Sequence, residues 1–280
     1  MSTRHEILHR IATPLQPLYG EREAWQIARI VAEELSGLRR SDFIVEPNKE
    51  LEISDLKRVI EELTSGRPLQ YVLGSTEFCG LHLTVREGVL IPRPETEELV
   101  AWIVAENASA RTLLDVGTGS GCIAIALKHL LPETTVFATD ISDDALAVAT
   151  ENARTSGTAV LFRKADALRN LESVFPEKFD VIVSNPPYVP HKDIDGIHLN
   201  VKNFEPHLAL FVNDDDPLQF YRAIASAAGS MLTAGGRLYF EIYEHYADDL
   251  SHLLAKLGYD EIAVRKDLND KPRMLCCHRK

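Results

Sequence analysis

Thr112-Leu113-Leu114-Asp115-Val116-Gly117-Thr118-Gly119-Ser120-Gly121 is the stretch that decides the fold. Its first five residues are an apolar run interrupted only by one acid, which predicts a short strand buried on both faces. Glycines at alternate positions follow, and Cys122 to Leu130 then reads as an apolar helix. Such glycines let the backbone turn tightly and approach a ligand with no Cβ in the way, while the helix start offers free N–H groups. A nucleotide-like ligand is therefore expected at Gly117, Thr118, Gly119, Ser120 and Gly121. A nicotinamide dinucleotide is disfavoured, because its fingerprint needs glycine where Cys122 stands.

Downstream the alternation continues. Thr135-Val136-Phe137-Ala138-Thr139-Asp140 reads as a second strand, ending in an acid about 20 residues after the loop, a position from which a carboxylate reaches ribose hydroxyls. Asp140 is the expected ribose anchor; an aspartate at a strand end also serves as a helix cap, for which Ser142 competes. Val160-Leu161-Phe162 leads to Ala165-Asp166-Ala167, where Asp166, with Ala167 beside it, is placed to accept from an adenine amino group or else is a solvated loop residue. Val181-Ile182-Val183 leads to Asn185-Pro186-Pro187-Tyr188. The prolines fix φ and remove two donors, so the turn's carbonyls can only accept, and the Asn185 amide adds an acceptor and a donor. This cradle fits a planar –NH2 group against the flat face of Tyr188, making Asn185, Pro186 and Tyr188 the catalytic candidates and Asn185 to Tyr188 the substrate-binding ones, with Asn185 also expected to touch the nucleotide-like ligand. The plain alternative is an ordinary turn with a packing aromatic. With a further strand at Gly236–Ile242, the pattern is a doubly wound α/β domain, whose ligands sit outside the carboxyl ends of the strands.

Upstream, apolar positions such as Ile27, Ile30, Val31, Ala32 and Leu35 recur at helical spacing, so Arg4 to about Gly66 reads as a small helical bundle. Leu56, Val59, Ile60 and Leu63 form one of its later helices, with Ser54 as the expected cap. Leu81 to Val85 followed by Gly88 suggests a short hairpin. Pro92 and Pro94 open the next domain, with Glu95, Glu97 and Glu98 in a first helical turn. The expected division is residues 1–74, a linker hairpin at 75–91, and 92–280.

The charge of −12 over 280 residues argues against duplex DNA as partner, since that binding draws on basic surface. With no apolar stretch of membrane-spanning length and no apolar N-terminal signal core, the protein is expected to be soluble and cytoplasmic. Cys79, Cys122, Cys276 and Cys277 lack zinc spacing. Asp214-Asp215-Asp216-Pro217 reads as a solvated cap ahead of a helix, and His191, Asp193 and His198 as a mobile, solvated lid, so no metal is expected.

Together, D-V-G-T-G-S-G, Asp140 and N-P-P-Y resemble a class I S-adenosylmethionine-dependent methyltransferase acting on nitrogen. More particularly the chain resembles the PrmC/HemK glutamine methyltransferases, through Gly66-Arg67-Pro68-Leu69-Gln70-Tyr71 with Gly74, Leu90-Ile91-Pro92-Arg93-Pro94-Glu95-Thr96-Glu97, Phe204-Glu205-Pro206 with Ala209-Leu210, and Asp267 with Lys271-Pro272-Arg273. The resemblance implies a Rossmann-like seven-stranded methyltransferase sheet, with S-adenosylmethionine as cofactor. It further implies methylation of the side-chain amide nitrogen of the glutamine in the Gly-Gly-Gln motif of class I peptide-chain release factors, which tunes translation termination. The N-terminal bundle would then recognise the release factor; read from its residues alone, it serves equally as a stabilising appendage. Asn200 and Tyr243 depart from the family pattern, which commonly has an acid and a glycine there, and bear on how substrate docks. Two other readings share part of these motifs: an adenine N6-methyltransferase acting on nucleic acid, disfavoured by the acidic charge, and a non-catalytic cofactor-binding module, which has no need of an amide cradle.

Overall fold

The computed structural model describes residues 2–279, which divide into two compact units, one running up to Gly74 and taking in Leu199–Phe204, the other made of Ser75–His198 and the described residues from Glu205 onward. The first is helical. Thr3 caps its long helix Arg4–Ser36 in a capping box, its Oγ1 accepting from the Glu6 N–H (3.2 Å) while Glu6 Oε2 accepts from the Thr3 N–H (2.9 Å). Gly20, at φ 74° and ψ 167°, kinks this helix. Helices Arg40–Val45, Leu56–Thr64 and Leu69–Leu73 complete the unit with Leu199–Phe204, the one piece drawn from within the 92–280 segment of the sequence reading. Ile7, Ile11, Leu15, Val31, Val59 and Leu63 fill its core. Ile30 is 48% exposed despite its helical spacing. The helix at Leu56 begins after Asp55, at φ 59°, and not from a Ser54 cap; no side chain caps it.

The second unit holds a seven-stranded sheet: β1 Thr112–Val116, β2 Thr135–Asp140, β3 Val160–Lys164, β4 Phe179–Ser184, β5 Leu232–Glu241, β6 Tyr259–Lys266 and β7 Pro272–Arg279. Their spatial order is β6-β7-β5-β4-β1-β2-β3. The β3, β2, β1, β4 and β5 strands are mutually parallel, and β7 enters antiparallel to both β5 and β6. Burial on both faces explains the unbroken apolar runs. Leu114, Val116, Ile182, Leu238 and Phe240 face a core with Tyr221, Ile224 and Leu250, while Leu113, Val136, Val181, Val183 and Tyr239 face a second with Leu99, Trp102, Ile103 and Ile123. The hairpin Ser75–Phe78/Leu81–Thr84 buries Phe78 and Leu83 in that second core. Among the described residues no helix is long and apolar enough to cross a membrane.

Strand order reverses between β1 and β4, and this places the site. Both strands run the same way in register, Val116 opposite Ser184 on one side and opposite Thr139 of β2 on the other. The glycine loop, the Asn185 turn and Asp140 therefore emerge side by side at one sheet edge, the topological switch point of an open α/β sheet.

Candidate active site

A cavity of about 360 Å³ opens at this edge, within the size range of small-molecule sites. Its wall carries Gly117, Thr118, Gly119, Ser120, Asp140, Asp166, Ala167, Asn185, Pro186 and Pro187, all singled out in the sequence, joined by Ile91, Arg93, Thr96, Thr139, Pro206 and Leu208. Gly121 and Tyr188 are not on the wall.

The glycine loop is pinned before it reaches the ligand space. The N–H groups of Gly117 and Thr118 both donate to the Thr139 carbonyl at 2.9 Å, tying the loop to the end of β2. Thr118 Oγ1 donates to Asp115 Oδ2 (2.6 Å), so the single acid of β1 is a loop-closing acceptor. Burial pushes the Asp115 carboxyl up to about 7, with the Thr118 bond pulling the other way. Gly117 and Gly119 have φ of 77° and 55°, the left-handed region, and a Cβ on either would meet nothing within 4 Å. Their backbone thus leaves open space on the cavity side. Gly121 differs: at φ 83°, its Cβ would lie 2.9 Å from Ile125 Cδ1 and 3.0 Å from Ala149 Cβ. It lets two helices approach and does not face the cavity.

Asp140 accepts from the Gly119 N–H through Oδ2 (2.9 Å) and from the Ser142 N–H through Oδ1 (3.0 Å). The helix cap is Ser142, whose Oγ accepts from the Ala145 N–H (3.2 Å). Asp140 is thereby held rigidly on the wall with lone pairs to spare. Asp166 Oδ1 closes a local turn by accepting from the Leu168 N–H (2.8 Å), and Oδ2 lies 3.4 Å from Arg169 Nε. Thr139 Oγ1, buried and on the wall, has no hydrogen-bond partner among the described residues. Open space beside the two glycines, next to a fixed carboxylate with lone pairs to spare, suits a nucleoside-type ligand with hydroxyls to donate.

At β4, Ser184 Oγ donates to the Val116 carbonyl (2.6 Å), locking the strand end that launches the Asn185 turn onto β1. The Asn185 amide lines the cavity and makes no hydrogen bond among the described residues. Tyr188 turns elsewhere. Its hydroxyl donates to Glu241 Oε1 (3.1 Å), and its ring stacks on Tyr243 at 6.0 Å between centroids and 17° between planes. Thr96 Oγ1 donates to the other oxygen, Glu241 Oε2 (2.6 Å). Burial raises the pKa values of both Glu241 and Tyr188. Burial likewise pushes the wall thiol of Cys122 up to about 12, leaving it without thiolate character at neutral pH.

The segment expected as a mobile lid is instead a 3-10 helix, His191–Gly196, with several anchors. The Lys192 N–H donates to Asp214 Oδ1 (2.9 Å), the His191 ring stacks on Phe211 at 5.1 Å, and Asp193 Oδ2 accepts from the Tyr243 hydroxyl (3.1 Å). Asp216, from the acidic run, forms a two-pronged pair with Arg222 at 2.6 and 2.9 Å.

Three supporting residues lay outside the sequence reading of the site. Glu205, its side chain 1% exposed, accepts from Arg93 Nη2 (2.6 Å) and from the Ile91 N–H (3.1 Å), holding a stretch of the cavity wall. Buried Asn152 accepts from the Thr84 N–H (2.7 Å) and donates to the carbonyls of Thr84 and Ser120 (both 2.9 Å), fastening the hairpin to the glycine loop. Glu241 does the same for Tyr188 and Thr96. Only Glu241, between Phe240 and Ile242, is a polar residue in apolar company, a signal that it must find a buried partner without saying which; Asn152 and Glu205 have polar residues close by in sequence and carry no such signal.

Residues 6–74 match the PrmC N-terminal domain and residues 96–202 the methyltransferase small domain. The chain is 41% identical to the release factor glutamine methyltransferase of Bacteroides thetaiotaomicron, over 96% of this chain and 98% of that one. It is 42% identical to that of Flavobacterium psychrophilum, over 93% and 94%. Among solved structures, a methyltransferase from Pyrococcus furiosus superimposes with a TM-score of 0.54 at 18% identity, over 71% of this chain and 89% of that one, a likeness of fold. Identity sustained at this level along nearly the whole length means that the chain belongs to the release factor glutamine methyltransferase family.

Proposed function

We propose that this protein methylates the side-chain amide nitrogen of the glutamine in the Gly-Gly-Gln motif of class I peptide-chain release factors, using S-adenosylmethionine, and so tunes translation termination. The observation that carries the reading is that the unpaired Asn185 amide shares one cavity with the open glycine loop and with Asp140. A methyl acceptor held by the one and a nucleoside held by the others would meet there.

When bound, S-adenosylmethionine supplies a methyl group on a sulfonium, already a strong electrophile. Gly117 to Ser120 would give it close backbone approach, Asp140 would take its ribose hydroxyls, and Asp166 and Ala167 would flank its adenine. An amide nitrogen is a weak nucleophile because its lone pair is delocalised into the carbonyl. Positioning therefore carries most of the rate. Asn185 Oδ1 and the Pro186 carbonyl would accept the two amide N–H bonds, fixing the nitrogen's orientation, while Pro187 keeps the turn rigid. Transfer would form the N–C bond as the sulfonium S–C bond breaks, leaving S-adenosylhomocysteine, and the surplus proton on nitrogen would then pass to solvent, so no general base is required before transfer. Tyr188 shapes the turn from behind through Glu241. The helical N-terminal unit is the proposed recognition surface for the release factor body.

The test supplies isotope-labelled S-adenosylmethionine with a release factor, its Gly-Gly-Gln variant carrying Gln→Ala, and duplex DNA, and locates the label by mass spectrometry. Label on that glutamine, absent from the variant, is the expected result. Label on adenine would move the Asn185 cradle to nucleic acid.

A further inference from the structure

The Asn185 turn and the segment that follows it meet again at one side chain from a distant strand end. Tyr243 follows β5, two residues after Glu241. Its ring lies against Tyr188 in an offset stack at 17°, and its hydroxyl donates to Asp193 Oδ2 at 3.1 Å. Burial, reinforced by the Asp193 carboxylate, pushes the Tyr243 phenol up to about 12, so it remains a donor throughout the physiological range. Tyr188 is held at the hydroxyl end by Glu241 and on its ring face by Tyr243. The chain from Tyr188 to Asp193 is thus closed into a small loop by a contact made entirely through Tyr243.

We propose that Tyr243 is a positioning residue for the transfer: its ring fixes Tyr188, and hence the Asn185 turn, while its bond to Asp193 holds the His191–Gly196 segment where the release factor must pass. This rests on the amide-methylation reading. Tyr243 does not line the cavity, and its contacts with Tyr188 and Asp193 fall on the Asn185 turn and the segment after it and not on the glycine loop or Asp140, which puts its effect on the acceptor side. Neither tie is needed to bury a core residue. Tyr243 and Asp193 are both only half-buried, which leaves pre-organisation of the turn and its following segment as what the pair achieves.

The test compares Tyr243→Phe, Tyr243→Ala, Asp193→Ala and Asp193→Asn in the full chain. Measurements are amide hydrogen exchange of residues 189–197, methylation kinetics with a release factor, and calorimetric affinity for S-adenosylmethionine. Tyr243→Phe and Asp193→Ala each break the bond and keep the stack. Exchange in the segment should rise, and KM for the release factor should rise about tenfold with little change in kcat, the worth of one charge-assisted hydrogen bond. Asp193→Asn keeps an acceptor and should recover most of that loss. Tyr243→Ala also removes the stack and should lower kcat by about tenfold as well. Cofactor affinity should stay at the wild-type value in all four. Unaltered exchange in Tyr243→Phe, or wild-type kcat and KM in Tyr243→Ala, would overturn the proposal. The exchange readout needs no substrate: if the wild-type protein leaves the glutamine unlabelled, the substrate assignment falls and the exchange pattern alone decides the brace.

Discussion

Tyr188 donates its hydroxyl to Glu241 across 3.1 Å, and this makes a buried carboxylate of β5 part of the architecture behind the Asn185 turn. The same carboxylate accepts from Thr96 at 2.6 Å, so two segments far apart in the chain share one acid. Replacing Glu241 by alanine leaves one buried and one part-buried hydroxyl without their acceptor and should cost about 2 to 4 kcal/mol of stability. Glu241→Gln keeps one acceptor oxygen and should cost less than half as much. Urea denaturation of the two variants decides it, and equal losses would mean that the side chain's packing, not its hydrogen bonds, matters.

The loop glycines should separate by function. Gly121→Ala places a methyl 2.9 Å from Ile125 Cδ1 and 3.2 Å from the Ala149 backbone at a positive φ, combining overpacking with backbone strain. A loss of about 2 to 4 kcal/mol is expected. Gly119→Ala meets nothing within 4 Å and should lose only about 1 kcal/mol from its φ of 55°, with its larger effect on cofactor affinity. Denaturation midpoints together with calorimetric titration of S-adenosylmethionine would show whether the two effects divide this way.

Asp115 gives the protein a pH dependence opposite to that of most carboxylates. Its folded pKa is raised to about 7, whereas an unfolded aspartate titrates near about 4. Between those values the unfolded chain has released its proton and the native state has kept it, so this group's contribution is fully present below about pH 4 and is lost as pH rises toward 7. The slope cannot exceed about 1.4 kcal/mol per pH unit. Asp115→Asn keeps an acceptor for Thr118 and carries no charge. Its stability advantage over the wild type should therefore grow from pH 4.5 to pH 7 and then level off. A difference that stays flat across that range would show that Asp115 is ionised in the folded protein.

The sheet and the cavity edge were legible because their signals are local. An apolar run, alternate glycines and a double proline each announce a strand, a loop and a turn within a few residues. What could not be read is pairing at a distance. Thr96 and Glu241 are 145 residues apart, Ile91 and Glu205 are 114 apart, and Thr84 and Asn152 are 68 apart, so no window of sequence contains both partners. The Tyr188 ring shows the same limit. From sequence alone its natural companion is the substrate amide, because nothing nearby foretells that Tyr243 and Glu241 fold up against it. The His191–Gly196 segment is solvated as read, but its anchors at Asp214, Phe211 and Tyr243 go unread for the same reason, all being contributed from further along the chain.

Glu205 should control cofactor affinity without touching the cofactor. It accepts from the Ile91 N–H and from Arg93, both residues on the cavity wall, and Pro206, its chain neighbour, lies on the wall as well. Glu205→Ala frees all of these at once. Arg93, a third exposed, can turn to water, whereas the Ile91 N–H is left unpaired. The expected loss of stability is accordingly modest, about 1 to 3 kcal/mol, while the displaced wall should weaken S-adenosylmethionine binding by about tenfold. Glu205→Gln, which can still accept from the Ile91 N–H, should fall between the variant and the wild type on both scales. Calorimetry and denaturation on the same three proteins give the answer. Stability lost with affinity intact would make Glu205 a fold staple, and affinity lost in step with the freed wall would make it a support for the site.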